Sequence, residues 1–168
     1  WGVNNITMVD SKGIVDCRRM DLPDSKRNFC TLQGGHLEDA IKNSDVFIGV
    51  SKGGLLTQEM VETMAQNPII FALANPTPEI MPEEALAAGA KIVATGRSDY
   101  PNQINNVLIF PGFFKGLLEN GIEKVNYDMK LRAAEALANL VEKPTAEYII
   151  PDPFDERVVS AVSKSVIK

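Results

Sequence analysis

Four short apolar runs, each followed at once by residues that end a strand, constrain this chain more than any other feature. Asn5 to Asp10 ("NITMVD"), Val46 to Val50 ("VFIGV"), Ile69 to Ala74 ("IIFALA") and Lys91 to Thr95 ("KIVAT") read as strands. Helical patterns lie between them over His36–Lys42, Gln58–Gln66 and Pro82–Ala88, with Thr57 placed as an N-cap and Pro82 in a first helical turn. Strands that are apolar throughout and spaced by helices predict a parallel sheet covered on both faces. After Thr95 the pattern turns helical, over Val107–Asn120, Tyr127–Glu142 and Pro153 to the end. The expected fold is a single doubly wound α/β domain, with the sheet in residues 1–112 and a helical C-terminal extension in 113–168.

Composition narrows the function. At 168 residues and 45% hydrophobic content, one domain with a real core is expected. The net charge of -5, without long runs of one sign, excludes nucleic acid, whose phosphates need a basic stripe. No segment approaches the roughly 18 consecutive apolar residues of a membrane span. No basic-then-apolar leader of secretory type opens the chain, so a cytoplasmic location is expected. Cys17 and Cys30 form no C-x-x-C pair and are expected as free thiols in a reducing cytosol. The first residue is Trp1, not Met, which points to a piece of a longer protein.

The chemistry follows the strands. Asp10-Ser11-Lys12-Gly13 comes after the first, Gly49-Val50-Ser51-Lys52-Gly53-Gly54 after the second, Asn75-Pro76 after the third and Gly96-Arg97-Ser98-Asp99 after the fourth. Any one of these reads as an ordinary turn. In open parallel sheets, however, ligands bind outside the carboxyl ends of the strands, and all four clusters are expected at that edge. Asn75 would stand at the rim, kept out of the helical region by Pro76. A carboxylate ending a strand accepts hydrogen bonds from the adenosine ribose of NAD, a position that suits Asp10. Nearby Lys12, Lys26 and Arg27 either meet the 2′-phosphate of NADP or are solvated surface charges. The glycine motif G-x-G-x-x-G belongs about 20 residues before such an acid, and only nine residues precede Asp10 here.

The stretches "DVFIGVSKGGLLTQEMV", "PIIFALANPTPEIMPEEA", "KIVATGRSDYPNQINNVLIFPG" and "EYIIPDPFDERV" resemble malic enzymes, particularly the bacterial type. The resemblance covers nearly the whole chain and is densest from Asp45 to Gly112. It implies a Rossmann-like NAD(P)-binding domain without its first βα unit. The implied enzyme oxidatively decarboxylates malate to pyruvate and CO2, using NAD or NADP and a Mg or Mn ion. It also implies that Asp10, with Ser11 and Lys12, meets the adenosine ribose, and that Gly49, Val50 and Ser51 pass beside the dinucleotide. Leu73 and Ala74 would lie near the nicotinamide half, Asn105 next to the cofactor, and Asn75 and Asn106 on the substrate. An amide suits that contact, since it binds hydroxyl and carboxylate oxygens without joining acid–base traffic at neutral pH. Read without the resemblance, Asn105-Asn106 is a pair of N-cap residues. Lys52 departs from the family's glycine-flanked apolar loop.

Oxidising a 2-hydroxy acid needs a general base, and decarboxylation needs a Lewis acid and then a proton donor. In the family a lysine, a tyrosine and three metal-binding carboxylates serve, all ahead of the glycine motif, so no catalytic residue or metal ligand is expected in this chain. His36 reads as a surface or capping residue, Arg97 and Asp99 as a mutual surface pair, and Tyr100 as lacking a partner that would make it an acid. Asp152, Asp155 and Glu156 have no metal-ligand spacing. A chain starting at the second strand lacks the middle of its own sheet. The isolated fragment is therefore expected to be marginally folded and inactive until preceding residues, or another chain, complete it. The resemblance further implies a homo-oligomer. The alternative is a nucleotide-binding or regulatory module that keeps the fold without catalysis.

Overall fold

The computed structural model describes residues 3–168, so Trp1, on which the expectation of a longer parent protein rests, lies outside them. The first predicted strand is much shorter than expected. Only Val9–Asp10 (β1) is a strand, and it pairs antiparallel with Gly13–Ile14 (β2), apart from the parallel sheet. Ser11-Lys12 reverses the chain, and Gly13 takes φ +105°, a conformation in which a side chain would be strained. Among the described residues β1 has no parallel neighbour, and the local turn supplies the partner instead.

The cysteines correct a second expectation. Cys17 and Cys30 are joined as a disulfide, with their Cα atoms 4.9 Å apart. The Thr31 N–H donates to the Val15 carbonyl and the Cys17 N–H to the Thr31 carbonyl, each at 2.9 Å, which brings the two half-cystines side by side. The loop so closed contains the short helix Asp24–Arg27 (α1). The thiol argument for a reducing compartment therefore fails. Among the described residues, no helix is long and apolar enough to cross a membrane.

After Leu37–Ile41 (α2), three parallel strands alternate with helices: Val46–Gly49 (β3), Gln58–Glu62 (α3), Ile69–Ala72 (β4), Pro82–Ala87 (α4) and Ile92–Thr95 (β5). The order is β3-β4-β5, with Gly49, Ala72 and Thr95 level at the carboxyl edge. Thr57 caps α3, its hydroxyl accepting the Met60 N–H at 3.3 Å, and Pro82 opens α4. One face of the sheet is closed by a core in which Phe47, Ile70, Ala72 and Val93 meet Ile41, Leu56, Val61 and Ala85. The other face is open along β3. Val46 and Ile48 alternate onto it and are 45% and 62% exposed, and Val50 beyond them is 79% exposed. Ile48 and Val50 forgo most, and Val46 somewhat under half, of the roughly 1.5–3 kcal/mol that full burial of such a side chain contributes. Among the described residues β3 pairs with β4 alone.

The expected helix over Val107–Asn120 is split. Asn106–Leu108 is a 3₁₀ turn and Phe110–Glu119 (α5) follows it. Pro111 has no N–H to return to the preceding turn, so the α-helix starts afresh with proline in its first turn. With Tyr127–Ala138 (α6) and Arg157–Ser165 (α7) it buries Leu108, Phe113, Met129, Ala133, Leu137, Val158, Val162 and Val166 as a second core.

Candidate functional site

Parallel pairing brings the ends of β3, β4 and β5 level, and their loops leave from one edge. Val50-Ser51 follows β3, Leu73-Ala74-Asn75 follows β4, and Gly96-Arg97 follows β5. The Leu73 N–H donates to the Gly49 carbonyl at 3.0 Å, carrying the pairing one residue beyond the strands. Asn75 is exposed at the rim and precedes a cis Asn75–Pro76 bond. Its carboxamide lies against the end of β5, where a Cβ on Gly96 would come within 3.1 Å of Asn75 Nδ2. Beyond β5 the chain returns along that strand, the Ile104 N–H donating to the Thr95 carbonyl at 2.8 Å. That contact delivers Asn105 and Asn106 to the same side, both exposed. Asn105 Oδ1 accepts the Val107 N–H at 3.0 Å and so caps the 3₁₀ turn, leaving its amide NH2 group uncommitted to that cap.

A residue that sequence reading passed over holds this edge together. Glu79 is fully buried. Its Oε1 accepts the Ser51 N–H at 2.8 Å and its Oε2 accepts the Ala74 N–H at 3.0 Å. The Glu79 carbonyl accepts the Leu56 N–H at 2.9 Å, and the Pro78 carbonyl accepts the Gly54 N–H at 3.1 Å. Gly49 leaves space for the carboxylate, since a Cβ there would lie 2.4 Å from Glu79 Cδ. In the sequence Glu79 is one acid among several near the start of α4, and its only signal is its place between Pro78 and the apolar Ile80-Met81.

Asp10 lies elsewhere, at the tip of the β1–β2 hairpin. Its carboxylate accepts from Arg19 Nη1 at 2.9 Å and Nη2 at 3.0 Å, from Lys26 Nζ at 2.6 Å and from the Lys12 N–H at 3.0 Å. The Arg19 guanidinium first, and then Lys26, hold the Asp10 carboxyl far below the usual carboxylate range. Of the cations expected near Asp10, Lys26 is on it, Lys12 sends its ammonium to Asp21, and Arg27 faces Asp24 at 3.8 Å. Arg19, nine residues on in sequence, was not among them. Among the described residues, Asp10, Ser11 and Lys12 make no hydrogen bond or ion pair with Gly49–Ser51, Leu73–Asn75 or Asn105.

The remaining candidates have local partners. His36 sits at the N-cap of α2 and donates its backbone N–H to Asp39 Oδ2 at 3.1 Å. Arg97 is paired with Asp99 at 2.9 and 2.6 Å and lies over the Tyr100 ring. The Tyr100 hydroxyl donates to Glu83 Oε2 at 3.0 Å, and that carboxylate pushes the phenol up, the opposite of what would make it an acid. Among the described residues, no group of three or more His, Cys, Asp or Glu side chains is placed to hold a metal ion.

Comparison with known proteins agrees with this architecture. The family described as "Malic enzyme, NAD binding domain" matches residues 2–168. The chain is 52% identical over 176 residues to a bifunctional malic/malolactic enzyme of Bacillus subtilis, covering 100% of this chain and 43% of that protein. It is 46% identical to an NADP-dependent malic enzyme of Haemophilus influenzae, covering 98% of this chain and 24% of that protein. The crystal structure of an NAD-dependent malic enzyme from Thermotoga maritima superposes with a TM-score of 0.91 at 45% identity, over 98% of this chain and 45% of that one. The chain thus spans less than half the length of each of these relatives. With its Rossmann-like sheet and these likenesses, it belongs to the malic enzyme family, as an NAD-binding domain.

Proposed function

We propose that this chain is the dinucleotide-binding part of a longer oxidoreductase that converts malate to pyruvate and CO2 with NAD or NADP. The observation that carries the proposal is the meeting of Asn75 with the end of β5, on the edge that also bears Gly49–Ser51 and Asn105-Asn106. Asn75 and Asn106 would hold malate oxygens, while Gly49, Val50, Ser51, Leu73, Ala74 and Asn105 would line the dinucleotide. When bound, the dinucleotide supplies the hydride acceptor. What these residues contribute is orientation, with C2 of malate held toward the nicotinamide side.

Asp10, with Ser11 and Lys12, would take the adenosine end. An acid flanked by Arg19 and Lys26 is compatible with a ribose hydroxyl and with a 2′-phosphate. The relatives' names include both cofactors. The described residues do not fit a metal site, and the likeness to malic enzymes assigns the Mg or Mn ion, the general base and the proton donor to the part of the protein beyond this chain. That part would also complete the sheet, adding a strand along the free edge of β3 and covering Val46 and Ile48. We assign the chain no activity alone, and its assembly in the full protein to a homo-oligomer. A non-catalytic module has no support in the names of the relatives.

The test uses the full-length protein with saturating malate and Mn, following NAD and NADP reduction for the parent and for Asn75→Ala. Reduction with pyruvate formed, lost in the variant, is the expected result. Lactate without net nucleotide reduction would transfer the assignment to the malolactic conversion that the B. subtilis relative's name carries. No turnover of any kind would overturn the enzyme reading.

A further inference from the structure

We infer that Glu79 is a positioning residue for the proposed reaction, fixing Ser51 and Ala74 relative to each other so that the dinucleotide loop and Asn75 engage their ligands together. The inference rests on the functional reading just given. Glu79 is fully buried and, among the described residues, forms no ion pair with Lys or Arg. Burying a carboxylate away from a cation is costly, and a neutral side chain would close the same turn without that cost. A carboxylate adds two acceptors on one rigid plane, one for each segment. Oε1 takes the Ser51 N–H at 2.8 Å, 28 residues away in sequence. Oε2 takes the Ala74 N–H at 3.0 Å, one residue before Asn75.

Two consequences follow. Both N–H groups are already committed, so Ser51 and Ala74 meet ligands through carbonyls and side chains, and the Ser51 amide is not a phosphate donor. The spacing between the two segments is also set by one side chain. Its replacement by Gln substitutes an NH2 donor for one acceptor and leaves one backbone N–H facing another donor. Replacement by Asp shortens the reach, so that one segment or the other is released.

The experiment compares the full-length parent with Glu79→Gln and Glu79→Asp, measuring kcat, KM for dinucleotide and malate, and the isotope effect with malate deuterated at C2. Turnover is normalised to folded protein by circular dichroism. Misplacement of the reacting groups by a fraction of an ångström to an ångström predicts a fall in kcat of roughly 10- to 100-fold. It also predicts a larger isotope effect, as hydride transfer becomes rate-limiting, and a raised dinucleotide KM. Should either variant be insoluble, Gly49→Ala decides, because its Cβ would displace the carboxylate while leaving the charge present. It is expected to reproduce the same signature more mildly. If the folded variants, Gly49→Ala included, keep the parent's kcat, KM and isotope effect and lose only thermal stability, Glu79 is structural and the inference is wrong. In that case an inactive Asn75→Ala protein leaves the functional reading standing. An active Asn75→Ala protein removes Asn75 from the substrate site, and this inference with it, while the malate reaction stays assigned.

Discussion

Asn102 accepts the backbone N–H of Ile149 at 2.9 Å, across 47 residues of chain. Its amide nitrogen donates to the Val93 carbonyl at 3.0 Å and to the Ala146 carbonyl at 2.8 Å. A single buried side chain thus fastens the segment after α6 to β5, from a residue whose own φ is +56°. Asn is among the few residues that enter this region readily.

Asn102→Ala leaves one buried and two half-buried backbone groups without their partner. A loss of about 2–4 kcal/mol is expected from that cost, measured as a shift in the urea midpoint of the full-length protein. A midpoint within error of the parent would show that water replaces all three bonds.

The contact between α5 and α7 depends on Gly112 and Gly116. A Cβ on Gly116 would lie 2.6 Å from the Ser163 carbonyl oxygen and 2.7 Å from Val166 Cβ, and neither is a flexible side-chain end. Gly116→Ala should cost about 1–3 kcal/mol as the helices separate. Gly34→Ala, where a Cβ meets nothing within 4 Å, serves as the control and should change stability by less than about 0.5 kcal/mol.

Asp10 makes stability dependent on acid. Its folded carboxyl is held below its unfolded value of about 3.9 by Arg19 and Lys26. The stabilisation is therefore complete above that value and is lost as pH falls through the folded one. Asp10→Asn should melt below the parent at pH 7, and the two should converge as pH falls from about 4. Melting curves at pH 7 and pH 3 check this, and a gap that widens in acid would contradict it.

The disulfide closes a loop of 13-residue separation that carries both Arg19 and Lys26. The double variant Cys17→Ser/Cys30→Ser is expected to lose about 2–3 kcal/mol. Treating the parent with a dithiol reductant should give the same denaturation midpoint as the double variant. Thiol titration before and after reduction confirms which state is being measured.

The strands at Val46, Ile69 and Ile92, the helices between them, the Thr57 cap and the Pro82 start were legible because period and capping are local properties of the chain. The gathering of Gly49–Ser51, Asn75 and Gly96 at one edge was legible too, because parallel strands must all end on the same side, whereas Asn105-Asn106 were placed there only by the family resemblance. Glu79, Arg19 and Asn102 were not. Arg19 reaches Asp10 nine positions away, Glu79 reaches Ser51 28 away and Asn102 reaches Ile149 47 away, and in sequence an acid, a base and an amide look alike whether they are solvated or buried against a distant backbone.

Propensity and spacing also misplaced the start of the chain, where β1 turned back on β2, and they left the cysteines unpaired. Both outcomes depend on which partner lies within reach once the chain has folded. Local pattern therefore decided that this protein would build a parallel sheet with a polar carboxyl edge. Tertiary packing alone decided which polar groups would be consumed in holding that edge together and which would be left free to meet a ligand, because a buried hydrogen bond is determined by three-dimensional proximity and the exclusion of water.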